Sequence, residues 1–383
     1  MKISGRGTIL LTFAAFGAFV GTNVGAFPTI LKHAGVSSEL FGLVGAIGML
    51  ANILLMALGG VINRYFDHRT VLLWIVPVAF ISVLMAQLAF SPLSFVLAAI
   101  FISMALGTMD LFMNAEGASI EQEHKNTIFS AYHGSASLTM GLFAIISSIV
   151  SVWLAPWFVT LFTLVPVALA YIAIYVNIPH RKTVVHDVEK GSKVLPYKLL
   201  TFIGLAAGFG VTSEVACVQW AGQLLNSIAP SLAAYSGLGL AFYGLCSGVM
   251  RLFSDRIRAT YGDRNVMVVC LSIGILGFII LSFAPGFAIS VLAFAAVGIG
   301  LSVVFPCLFA LAARLVPDHK AAAMGYFAMI GGAPRVVLPW VLGFVAQSYG
   351  LSSVFIVTAL VSATALLIIV TTFSKTEAGL QRP

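Results

Sequence analysis

The sequence predicts an all-α membrane protein, with twelve transmembrane helices arranged as two pseudo-symmetric bundles of six. Three observations predict it: composition, the segregation of cations between alternate loops, and an internal repeat. Of 383 residues, 60% are hydrophobic and 9% charged, and the mean hydropathy is +1.06. A soluble domain has about 45–50% apolar and about 25% charged residues, so a water-soluble globular chain and a disordered one are both excluded. Twelve spans of about 20 residues consume about 240, which leaves little material for a soluble catalytic domain.

Apolar runs between polar or Pro/Gly breaks place the spans at 7–31, 39–62, 70–90, 93–118, 127–152, 156–178, 198–226, 232–253, 266–284, 287–312, 321–348 and 352–373. The first run resembles a signal peptide. It is too long for one, contains Asn23 and Pro28, and leads into further spans, so it reads as span 1. Its Gly17, Gly21 and Gly25 form a small-residue stripe of the kind that lets helices pack closely. The breaks at Ser91-Pro92, Ala155-Pro156, Ala229-Pro230, Ala284-Pro285 and Tyr349-Gly350 are short and uncharged. The other breaks and the two chain ends hold every Lys and Arg except Lys32 and Arg335. Cations collect on the cytoplasmic side of membrane proteins, so both termini are expected there. The same bias accounts for the net charge of +7 without a nucleic-acid partner. The long polar connection at 179–197 reads as a solvated cytoplasmic linker. It separates an N-terminal bundle, 1–178, from a C-terminal bundle, 198–383. Cys217, Cys246, Cys270 and Cys307 lie inside spans without metal-ligand spacing, and read as small buried apolar residues.

The two halves echo each other. After span 2 the chain reads Gly60-Val-Ile-Asn63-Arg64-Tyr-Phe-Asp67-His68-Arg69. After span 8 it reads Gly248-Val-Met-Arg251-Leu-Phe-Ser-Asp255-Arg256-Ile-Arg258, then Gly262-Asp263-Arg264. A repeated six-helix unit with a central linker is how many secondary transporters are built, with the site at the bilayer midplane between the halves. This loop resembles the signature of the major facilitator superfamily: a Gly, an Asp-Arg pair, then Gly-Arg. The second copy keeps Asp255-Arg256, and the first has Asn63 for the Asp and Asp67 where a Gly is usual. The resemblance implies that Asn63, Arg64, Asp255 and Arg256 belong to gating loops. Gly107-Thr-Met-Asp110-Leu-Phe-Met-Asn114-Ala-Glu116 with Ser130-Ala-Tyr-His133-Gly-Ser-Ala-Ser137 is similar to spans 4 and 5 of a bacterial inner-membrane branch related to the fucose permeases. Ser213-Glu214-Val-Ala-Cys-Val-Gln219-Trp220 and Gly331-Gly-Ala-Pro334-Arg335 are similar to its spans 7 and 11. The resemblance covers the whole chain and implies a multi-pass protein of the bacterial inner membrane.

Ionisable groups within spans are costly and usually face a cavity or a partner. Asp110 lies about 24 Å below the start of span 4, and Asn114 follows at i+4 on the same face. His133 lies about 10 Å into span 5 by the same rise, so the three can meet, as a coupling or gating group or as a structural clamp. Glu214 and Arg335 lie at about 24 and 21 Å in spans 7 and 11. Equal depth and opposite charge make them candidate partners or cavity-lining residues. A carboxylate in a low-dielectric site is a candidate proton carrier, so Glu214 is the first choice and the Asp110/His133 pair the second. Asn23, Gln219 and Trp220 are candidate substrate contacts, Trp220 equally an interfacial anchor. Glu116 and Glu121 read as paired residues near the cytoplasmic interface.

No nucleophile elbow, zinc-protease or phosphate-loop motif is present, so no enzyme, cofactor or metal is expected. The reading is a monomeric secondary transporter. It moves a small polar or anionic solute by alternating access between two rocking bundles, with protons and membrane lipid as its other partners. The alternatives are a proton-independent facilitator or exporter, drug-like efflux included, and a transporter-like sensor.

Overall fold

The computed structural model describes residues 4–124, 129–180, 196–315 and 320–380. Most of the expected linker, Lys125 and the side chain of Glu121 lie outside the described residues. Within them the protein is helical, with no strand, and has twelve helical segments long and apolar enough to cross a membrane. Span 1 is α1 (Gly5–Gly25) with α2 (Phe27–Ala34), and spans 2 to 6 are α3 (Ser38–Tyr65), α4 (His68–Gln87), α5 (Pro92–His124), α6 (Phe129–Trp153) and α7 (Trp157–Asn177). Spans 7 to 9 are α8 (Tyr197–Ile228), α9 (Leu238–Tyr261) and α10 (Asp263–Ser282). Span 10 is α11 (Phe287–Leu301) with α12 (Val304–Leu315), and spans 11 and 12 are α13 (Lys320–Tyr349) and α14 (Leu351–Leu380).

Local chemistry sets the helix starts. Ser4, Ser37 and Asp67 accept hydrogen bonds from the backbone N–H of Gly7, Leu40 and Thr70 and so cap α1, α3 and α4. Three boundaries correct the sequence reading. Span 1 is interrupted at Ala26, just before the Pro28 that opens α2. Span 8 does not end at 253. No Gly or Pro interrupts the chain from Arg251 to Tyr261, so α9 continues to Gly262, whose φ of 80° terminates it. Asp255 and Arg256 therefore stand on a helix, as do Asn63 and Arg64 at the end of α3. Span 10 is divided after Leu301, because Pro306 has no N–H to offer the carbonyl of Ser302.

The packing repeats between halves. α1 lies on α6 and α7 as α8 lies on α13 and α14, and α4 lies on α5 and α7 as α10 lies on α11 and α14. Two crossed pairs make the most extensive contacts between the halves: α3 against α13, and α6 against α9. The glycine stripe of α1 is a packing device. A Cβ at Gly17, Gly21 or Gly25 would lie 2.1, 2.2 and 2.4 Å from the carbonyl oxygens of Ala136, Met140 and Ala144 on α6. Gly208 plays the equivalent part in α8, where a Cβ would lie 2.5 Å from Gly331 O on α13.

Candidate functional site

A cavity of about 410 Å³ lies between the halves, with α1, α3 and α5 on one side and α8 and α13 on the other. Asn23, Asp110, Glu214, Gln219 and Arg335 all line it. Its remaining wall is mostly apolar, including Phe16, Phe27, Phe41 and Phe95. The end opposite the chain termini is sealed. There Phe41 packs edge-on to Phe27 and to Trp220, with ring centroids 5.0 and 5.1 Å apart, and Phe95 lies 6.2 Å away. Backbones meet beside this seal: a Cβ at Gly42 would lie 2.5 Å from Gly343 Cα, and Ser38 N–H donates to Gln347 Oε1 at 3.2 Å. The apolar cluster at the seal contains residues of both halves. The other large apolar cluster is built from N-terminal residues alone.

Two polar chains meet the cavity floor. In the first, Asn114 Nδ2 donates to Asp110 Oδ1 at 2.8 Å, and His133 Nε2 lies 3.1 Å from Asn114 Oδ1. The three residues that spacing placed at one depth do meet. In the second, Arg251 Nη2 donates to Glu214 Oε1 at 3.0 Å, Nη1 to Ser137 Oγ at 2.9 Å, and Nε points to Ser302 O at 3.4 Å. Glu214 thus takes its ion-pair partner from α9, not from Arg335 as the depth comparison suggested. Arg335 instead lines the cavity together with Asp110 of the other half. Its Nε is buried with no hydrogen-bond partner among the described residues, and Nη2 lies 3.9 Å from Met49 Sδ. Trp220 is fully buried in the seal and does not line the cavity, which also separates it from a lipid-interface anchor.

The loops at the termini end differ between halves. Arg258 donates to Asp255 at 3.2 Å and to Asp263 at 2.8 Å, and Arg314 donates to Asp263 at 2.5 Å. In the first half Asp67 accepts from Thr70 N–H at 2.8 Å and lies 2.5 Å from His180 Nδ1. Arg69 contacts His180, donates to Tyr175 O at 2.8 Å, and stands 5.0 Å over the Tyr175 ring. Buried Glu116 pairs with His68 at 2.9 Å. Arg64 and Arg256 are exposed, and Asn63 Oδ1 is buried without a hydrogen-bond partner among the described residues.

Arg251, Ser302 and the cavity-lining Asn52 are among the site residues that sequence reasoning missed. The available signal was an Arg inside the apolar run 232–253, read there as a loop cation.

Two helical halves thus enclose a central cavity lined by ionic side chains of both halves. A family model of the Major Facilitator Superfamily matches residues 215–383. An uncharacterized MFS-type transporter of Yersinia pestis is 25% identical over 86% of this chain and 85% of its own length. The membrane protein MosC of Rhizobium meliloti is 23% identical over 90% and 85%. Among solved structures, the D323A mutant of the nucleoside transporter NupG superposes with a TM-score of 0.77 at 16% identity. It covers 96% of this chain and 99% of its own. FucP in its outward conformation gives 0.64 at 15% identity over 97% and 99%. The C-terminal half of the chain therefore resembles the Major Facilitator Superfamily in sequence, and the whole chain shares the fold of solved transporters such as NupG and FucP.

Proposed function

We propose that this protein is a proton-coupled secondary transporter of a small solute bearing a negatively charged group. One observation carries the reading: Asp110 and Arg335, groups of opposite charge from opposite halves, line one cavity. While Asp110 is ionised it balances Arg335. A proton on Asp110 leaves Arg335 as an uncompensated cation with an unpartnered Nε, and an anionic solute then supplies the missing charge. Proton and anion bind together, and the loaded cavity is electrically no different from the empty one. Glu214, the first candidate from sequence, is second here because Arg251 already holds it.

Orientation follows from the cations. With the termini in the cytoplasm of a bacterial inner membrane, the sealed end faces outward and the structure is an inward-facing state. Alternating access then moves a binding preference from one state to the other.

A thermal-shift screen of the purified protein tests this, with monocarboxylates, sugars and nucleosides in acidic and in neutral buffer. A ligand at 100 times its Kd stabilises the folded state by about 2.7 kcal/mol. Carboxylates are expected to raise the Tm, and more in acid. Asp110→Asn should keep the effect and lose its pH dependence, and Arg335→Gln should lose the effect. A second reading, a neutral ring-bearing solute, draws on the cavity's Asn23, Asn52 and Gln219 amides and its Phe side chains. Sugars or nucleosides that stabilise equally in both buffers would replace the first reading with the second.

A further inference from the structure

Arg251 joins three elements that have no covalent reason to move together. The chain of causes begins at Pro306. Its missing N–H strips the Ser302 carbonyl of its helical donor, and Ser302 is fully buried, where a carbonyl needs a partner. Arg251 Nε, 3.4 Å away, is the donor aimed at it. The same guanidinium holds Glu214 on α8 and, across the α6–α9 seam, Ser137 of the other half. Ser137 Oγ in turn donates a hydrogen bond to the His133 carbonyl at 3.1 Å. The planar fork of an Arg fixes the directions of all these bonds at once.

The repeat does not require this arrangement. At the 192-residue offset that aligns Asn63 with Asp255, Arg251 falls opposite Gly59. At the 195-residue offset that aligns Asp110 with Phe305, Ser302 falls opposite Gly107, in the unbroken middle of α5. A broken span and the cation that serves the break occur together, in one half only.

We propose that Arg251 is a positioning residue of the transport cycle. It is a three-way tie that holds the break in span 10 and the seam to the N-terminal half in the present state for as long as Glu214 supplies its counter-charge. Glu214 opens onto the cavity, so whatever neutralises or engages it there releases Arg251, and with it Ser302 and Ser137. The groups around this pair are Tyr243 and Cys217 from its own half, His133 beside Arg251, and Arg335 and Asp110 on the cavity wall. The inference rests on the transporter reading but not on the identity of the proton carrier.

Two reporter positions test it without any solute: Phe305→Cys on α12, at the repeat position of Asp110, and Val44→Cys on the cavity wall below the seal. A charged maleimide that cannot cross the bilayer is offered to either face of membrane vesicles. Glu214→Gln should slow labelling of Phe305→Cys from the termini face about threefold. It should raise labelling of Val44→Cys from the opposite face by a similar factor, as a shift between two states requires. Arg251→Gln should do the same, and the double variant should go no further. Arg251→Lys, which keeps the charge and loses the fork, should fall between. Unchanged rates in Glu214→Gln, effects that multiply in the double variant, or labelling that rises on both faces would overturn the proposal, the last by showing a merely structural brace. Ser137→Ala cuts only the tie across the seam and guards against an Arg251 variant that fails to fold. It should shift both reporters in the same directions by less, and no shift would count against the tie. A carboxylate screen that fails leaves these outcomes standing, so the two readings fail separately.

Discussion

Asp67 shows how one side chain is used twice. It caps α4 through Thr70 and anchors His180 at the far end of α7. Burial pushes its carboxyl up, but the hydrogen bonds from Thr70 and the His180 contact outweigh that and hold it below the usual carboxylate range. A carboxylate depressed in the folded state contributes stability above its unfolded value and loses it as pH falls through the folded one. Asp67→Ala should therefore cost about 0.5–2 kcal/mol, as for a lost helix cap. The gap to wild type in thermal unfolding should close in acid below the ordinary carboxylate range. From sequence, Asp67 was visible only as a departure from a Gly. Its partner His180 is 113 residues away, and no local pattern connects them. Glu214 and Arg335 illustrate the same limit. Their depth was legible because helical rise is constant, but depth does not say which way a side chain points. Rotation about α8 turned Glu214 to Arg251, and Arg335 was left lining the cavity with Asp110.

At the scale of the element, helices are held by what their small residues permit. Gly21 meets the Met140 carbonyl so closely that a Cβ would lie 2.2 Å from it, backbone that cannot rotate away. Gly21→Ala must push α1 off α6, and overpacking of this kind costs about 1–3 kcal/mol. Gly325, in α13, has nothing within 4 Å of an added Cβ and no positive φ. Gly325→Ala should be neutral or stabilise by up to about 1 kcal/mol through helix propensity. Unfolding of both variants in one detergent checks the contrast, and equal losses would mean that the stripe is not what holds α1. The stripe itself was legible in sequence as spacing. The division of span 10 was not, although Pro306 was in view, because prolines are tolerated in membrane helices whenever neighbours satisfy the freed carbonyl. The neighbour here is Arg251, on another helix.

At the scale of the molecule, the two halves touch along α3–α13 and α6–α9 and are sealed at one end. If the cycle opens that end, bridging it should stop transport. Cysteines at Ser38 and Gln347, whose residues are already hydrogen-bonded across the seam, joined by a reducible thiol cross-linker, should abolish flux of the solute found in the screen. Reductant should restore it, and full flux through a bridged protein would show that this seam does not open. What the sequence alone determined is what depends on solvent and on local periodicity. Those are the lipid environment, the twelve crossings, the repeat, the close packing of α1, and the residues at one depth in adjacent spans, Asp110, Asn114 and His133. The tertiary structure decided which buried charges are partners, that Trp220 closes the cavity rather than lining it, and that a cation read as part of a loop ties three helices together. Burial in lipid is written residue by residue, whereas an ion pair depends on the rotation and contact of helices far apart in the chain, which packing alone sets.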